Sequence, residues 1–233
     1  MTVEKNEGPP RLAPSESALR RRRAAAERVR EARDRLVSAT GTRPQFDYEL
    51  LHQFSQNRLS ASPAVLLLII AIGFLSGLWI SFVGAAVCTA ALTLIHVMAV
   101  GACRRFLREP QNAVRIPAWR IRFIVLDLLS GVGWMLNVVY VIREDPGAGT
   151  FVLFVMLLVV AVASMLASSL PMAMLAATVP ITVSVSLHFA LRGEIHGYIF
   201  AAMAITTQGY FTMLARRLYS TTLATLEARA EKD

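Results

Sequence analysis

Charge is what this sequence withholds. Leu59–Cys103 contains no Asp, Glu, Lys or Arg over 45 residues, and Pro146–Leu191 contains none over 46. A soluble domain does not keep runs of that length free of charge. A bilayer core takes about 20 apolar residues as helix, so each run has room for two spans. Cysteine is scarce as well: the only two are Cys88 and Cys103. They stand 15 positions apart on one expected helix, ~22 Å at the helical rise, which excludes a disulfide between them. A Cys metal site is excluded with it. GxxxxGK[ST], HExxH, GxSxG and CxxC are all missing, and none of His52, His96, His188 or His196 sits in a phosphoacceptor sequence. These absences leave no catalytic residue, no metal ligand and no cofactor to assign, and nothing marks the chain itself as an enzyme.

What is present divides in two. The chain of 233 residues is 55% hydrophobic, above the usual 45–50% or so, and the excess follows residue 59. Residues 1–58 hold 12 of the 24 Lys and Arg, and 104–122 hold six more. Beside apolar spans this basicity reads as the positive-inside rule and attraction to anionic headgroups, rather than nucleic-acid binding. The polar N-terminus is too long for a signal peptide, so insertion is expected to use the first span.

The expected organisation has four parts. Residues 1–45 form a basic cytoplasmic arm, partly disordered, with a solvated helix from Ser15 or Ser17 to about Ala39. Residues 46–61 form an amphipathic juxtamembrane helix: Phe46, Leu50, Leu51 and Phe54 fall on one side, with Gln53, Gln56, Asn57 and Arg58 largely on the other. Residues 62–218 hold six transmembrane helices. The spans are expected at Ser62–Phe82, Gly84–Cys103 and Ile121–Ile142, at two helices broken near Ser168–Pro171, and at Tyr198–Leu218. Residues 219–233 begin a cytoplasmic coiled-coil helix, with Tyr219, Leu223, Leu226 and Ala230 spaced 4, 3, 4 as a dimer seam. The fold class is therefore all-α integral membrane. Arginines collect in the arm, in 104–122 and at 216–217, while the opposite loops keep only Arg143 and Arg192, each near an acid. That asymmetry puts both termini in the cytoplasm.

Some residues inside the spans invite a role. Asp127 and His96 lie ~9–10 Å inside the same expected boundary, on sequential antiparallel helices, and can pair. The competing partners for Asp127 are Arg104 and Arg105. Gly73 and Gly77 form a GxxxG suited to close helix packing. Pro180 predicts a kink in the fifth span. Gln208, with Thr206 and Thr207, is expected to act as interhelical glue.

Two segments carry a resemblance: Asp47–Ala61 (DYELLHQFSQNRLSA) before the first span and Leu223–Asp233 (LATLEARAEKD) after the last. With the six-span block they resemble the N-terminal membrane region of alphaproteobacterial sensor histidine kinases. The resemblance covers residue 45 to the end. It implies a sensing and anchoring module of a two-component signal-transduction protein in the bacterial inner membrane, homodimeric in the parent, which reaches a response regulator through an output domain. It departs from the family in lacking the phosphoacceptor and ATP-binding motifs. The LEARAEKD ending is also similar to the linker entering a diguanylate cyclase domain. A small transporter or channel-like protein is the reading from another class, which wants several polar groups converging at the midplane and two similar halves.

Overall fold

The structure is a computed structural model and describes residues 44–230. The expected arm helix and residues 231–233 lie outside the described residues. Six α-helices account for most of what is described: α1 (Pro44–Ser76), α2 (Phe82–Arg108), α3 (Ile116–Glu144), α4 (Gly149–Leu166), α5 (Pro171–Leu191) and α6 (Ile195–Ala230). Single 3-10 turns at Gln111–Ala113 and Pro146–Ala148 join α2 to α3 and α3 to α4. No strand occurs among the described residues. Five helices are long and apolar enough to cross a membrane: Phe46–Ser76, Phe82–Arg108, Ile116–Glu144, Pro146–Leu166 and Pro171–Leu191. The described residues are those of an all-helical membrane protein, and their outer surface agrees. Large apolar side chains stand exposed on every helix, among them Leu67, Leu94, Leu136, Phe154, Leu187 and Ile205.

The helices alternate in direction, so α1 starts and α6 ends at the arginine-rich end. Unequal lengths then matter. α4 and α5, of 18 and 21 residues, reach ~27–32 Å, about one bilayer core. α1 and α6, of 33 and 36 residues, reach ~50–54 Å. At the arginine-rich end α1, α2, α3 and α6 therefore extend beyond the α4–α5 turn. Two cores result. One, toward the far end, is largely aliphatic, with Leu92, Val138, Met156 and Ile181 around Trp134 and Phe189. The other gathers around the α4–α5 turn, where Ala167 and Leu170 meet Leu51, Phe54, Phe106, Trp119, Phe123 and Ala215. Its rings stack edge to face or tilted: Phe106 lies 5.5 Å from Trp119 and 5.7 Å from Phe123, and Phe54 lies 5.2 Å from Phe123.

The juxtamembrane helix differs from its sequence expectation. Residues 46–61 are not a separate helix lying on a surface; they are the first half of α1. Phe46, Leu50, Leu51 and Phe54 are buried against protein rather than spread on lipid. No glycine interrupts 46–61, and Pro63 removes only one N–H from a helix held on both sides. The first turn also moves. α1 ends at Ser76, and Ser81, not Gly84, starts α2 by accepting a hydrogen bond from Gly84 N at 3.1 Å. α3 begins at Ile116, earlier than the expected Ile121, because Pro117 fits a helical first turn. The break between α4 and α5 falls at Ala167–Leu170, close to where the sequence placed it.

Two close approaches set the helix spacing. A Cβ on Gly131 would stand 2.5 Å from Ala177 O and 2.8 Å from Ala176 O, so α3 and α5 touch backbone to backbone there. The Ala176 carbonyl is the one that Pro180, lacking an N–H, cannot bond. α5 continues through Pro180 as one helix, and its freed carbonyl faces the glycine. Gly73 of the GxxxG packs on Thr89 of α2 in the same chain, while Gly77 lies in the turn beyond α1.

Candidate intramembrane site

Asp127 does find a partner, but not the expected one. Arg58 Nη1 pairs with Asp127 Oδ1, and the side chains are 13% and 3% exposed. Neither Arg104 nor Arg105 takes that place; Arg105 instead approaches Glu109 at 3.7 Å. His96 bonds Ser62, Nε2 to Oγ, at 3.1 Å. The His96–Asp127 pair is thus replaced by two contacts that both begin on α1. The physical reason is rank: a buried carboxylate is better matched by a fixed guanidinium than by an imidazole. Arg58 is held in turn by the Phe54 ring, whose centroid lies 5.6 Å from its guanidinium carbon.

Arg58 is the member of the candidate site that the amphipathic reading of the sequence misplaces. It follows Phe54 by four positions and Leu51 by seven, so it shares their face and not that of Gln53 and Gln56. Ser62 follows by four more. This one face of α1 meets α2 through His96 and α3 through Asp127.

A cavity of about 70 Å³ lies beside the ion pair. Asp127, Arg58, Ser130 and Trp134 form its polar side, and Val65, Leu68, Val159 and Val162 are among its apolar walls. Asp127 Oδ2 is buried and has no hydrogen-bond partner among the described residues. The α1 and α4 wall residues Val65, Leu68, Val162, Ala163 and Leu166 are only half-buried. The cavity therefore opens sideways between α1 and α4.

A second polar cluster joins α5 to α6. Thr182 donates to Gln208 Oε1 at 3.0 Å, and Gln208 Nε2 donates to Thr178 at 2.9 Å. Thr178 passes its own proton to Met174 O at 2.9 Å. Gln208 is thereby saturated as an interhelical bond. At the arginine-rich end Trp119 donates to Glu109 at 2.9 Å, and Arg122 lies 4.9 Å from the Trp119 ring centroid. Arg104, Arg105, Arg108, Arg115 and Arg122 are exposed there.

The candidate seam residues divide. Tyr219 is half-buried; burial and the Asp47 carboxylate of α1 push its phenol pKa up, against Arg120 of α3. It faces its own bundle. Leu223 and Leu226 are also half-buried, and Ala230 ends α6. Among the described residues no group of three His, Cys, Asp or Glu is placed to hold a metal ion. What the ion pair and its cavity can do is bind: a carboxylate short of one hydrogen bond lines a largely apolar crevice. No protein-family model, curated protein or solved structure matches the chain.

Proposed function

We propose that this chain is the membrane-embedded sensing and anchoring module of a two-component sensor histidine kinase, set in a bacterial inner membrane with both ends cytoplasmic. The observation that carries the reading is α6. It runs without a break for 36 residues, from the far end of the bundle past the α4–α5 turn. A helix of that kind passes a displacement within the bundle to whatever follows it. α6 serves as a sixth span: Tyr198, Ile199, Met203, Ile205, Tyr210 and Met213 are exposed for lipid, while Ala201, Ala204 and Ala215 are buried inward. The exposed arginines at its other end suit an anionic leaflet. In the parent, α6 pairs with its copy beyond Tyr219, through Leu223, Leu226 and the residues that follow.

The test has two steps. The reading frame downstream of Asp233 is sequenced, and a phosphoacceptor helix followed by an ATP-binding domain is expected. A diguanylate cyclase domain would move the same module to the other output, and a stop codon would refute the reading. The parent is then reconstituted, and its autophosphorylation from ATP is followed. Leu223→Pro, which breaks α6 below the bundle, is expected to make that rate insensitive to Arg58→Met. Unchanged sensitivity would refute α6 as the output path.

A further inference from the structure

We propose that the crevice between α1 and α4 binds a membrane-dissolved single-chain alcohol, its hydroxyl on Asp127 and its chain between the two helices. The site is assembled from four helices: Arg58 and Val65 on α1, Asp127 on α3, Val162 and Ala163 on α4, and Ala177 on α5.

The chemistry selects the head group by elimination. Asp127 Oδ2 is a buried acceptor with no partner among the described residues, so the head must donate a hydrogen bond. The Arg58 guanidinium already sits on Oδ1. A cationic head would meet that fixed positive charge at close range in a low dielectric, which rules out amines. A carboxylate head brings no proton and would meet the Asp127 charge. A neutral hydroxyl satisfies both constraints. About 70 Å³ holds roughly two or three water-sized groups, enough for a hydroxyl and the first carbons. Ser130, on the same wall, supplies a second polar contact for the hydroxyl oxygen.

The walls select the tail. Val65, Leu68, Val159, Val162 and Leu166 offer only carbon, and all of them but the buried Val159 are half-open to the outside. A ligand arriving through the bilayer enters there, tail along the helices. A bulky water-soluble ligand has no such route. The proposal uses the membrane placement adopted above but not the signalling role, since binding is read directly in the isolated domain.

The probe is an ω-bromo fatty alcohol, and the reporter is Trp134, which lines the cavity. Trp79→Phe and Trp119→Phe leave it as the only tryptophan, in lipid nanodiscs. Saturable quenching by the bromo-alcohol is expected. Its methyl ether, which cannot donate, is expected to bind roughly 10- to 150-fold more weakly, the worth of one hydrogen bond to a charged group. Ala163→Phe fills the crevice from the α4 side and is expected to abolish saturation. Equal quenching by the ether, quenching that rises without saturating, or full binding by a folded Ala163→Phe protein would each overturn the proposal. Where a variant does not fold, the wild-type domain is photolabelled with a diazirine fatty alcohol. Label confined to the Val65 and Val162 segments and displaced by unlabelled alcohol supports the site. Label spread over the lipid-facing helices overturns it.

Discussion

Replacing Arg58 with methionine removes the guanidinium and keeps an unbranched apolar stem of similar reach. It leaves the Asp127 carboxylate, 3% exposed and already short of one hydrogen bond, with no cation. Stranding a buried charge in this way costs about 3–5 kcal/mol. The reciprocal change, Asp127→Asn, is not symmetric. Arg58 is a long side chain, 13% exposed, near the arginine-rich end, so it can turn its head toward water. The expected cost is about 1–3 kcal/mol, the penalty for a charged hydrogen bond lost. The double variant Arg58→Met with Asp127→Asn leaves no charge stranded. It should be more stable than the sum of the singles implies, by a coupling of about 1–3 kcal/mol. The assay is reversible unfolding of the purified domain in mixed micelles by SDS titration, followed by far-UV circular dichroism. Singles that add within about 0.5 kcal/mol would refute a working ion pair. A coupling of Asp127 to His96→Ala as large as that to Arg58 would refute the assignment of partners.

Gly131→Ala drives a Cβ into the Ala176 and Ala177 carbonyls and should cost about 1–3 kcal/mol in the same titration. Gly84→Ala meets only the Tyr140 side chain, at 2.5 Å, so it should cost less, and Tyr140→Ala should relieve it. Gln208→Leu leaves Thr178 bonded to Met174 O but takes the acceptor from Thr182, an expected loss of about 1 kcal/mol in the same assay. Cysteines placed at Gln111 and at Gly147, in a Cys88→Ser, Cys103→Ala background, should react with an impermeant maleimide from opposite faces of the membrane. Reaction from one face would refute the alternation of spans.

The sequence displays its apolar runs openly, and the number and order of helices from α2 to α5 follow from them. The α4–α5 break was visible in Ser168-Ser-Leu-Pro171, and the unbroken α6 in the absence of any breaker after Gly209. Asp127 announced itself by being a lone acid in an apolar stretch. Its partner did not, for a physical reason. Arg58 stands among Gln56, Asn57 and Ser60, where composition says surface, and only its i+4 and i+7 relation to Phe54 and Leu51 says interior. The 46–61 segment is amphipathic in sequence, which suggests an interface. Periodicity identifies an apolar face but not what covers it, and here protein rather than lipid covers it. The freed carbonyl at Ala176 was implied by Pro180, yet nothing local indicates that Gly131, far away in sequence, would be the residue to meet it.

The aromatic cluster at the arginine-rich end has a consequence for biosynthesis. It is built from Leu51 and Phe54 near one end of the bundle's chain, Trp119 and Phe123 in the middle, and Ala215 near the other end. A ribosome delivers these residues in order, so the first rings emerge long before the last wall exists. Contacts so distant in sequence close late. Until α6 arrives, Trp119 and Phe123 lack one side of their packing, and a chain stopped before Ala215 would present that apolar ring surface to quality-control proteases. The core around Met156 and Ile181 also reaches from Ile69 and Ile72 of α1 to Ala201 and Ala204 of α6, so it too waits for the last helix. Neither core closes until α6 is in place.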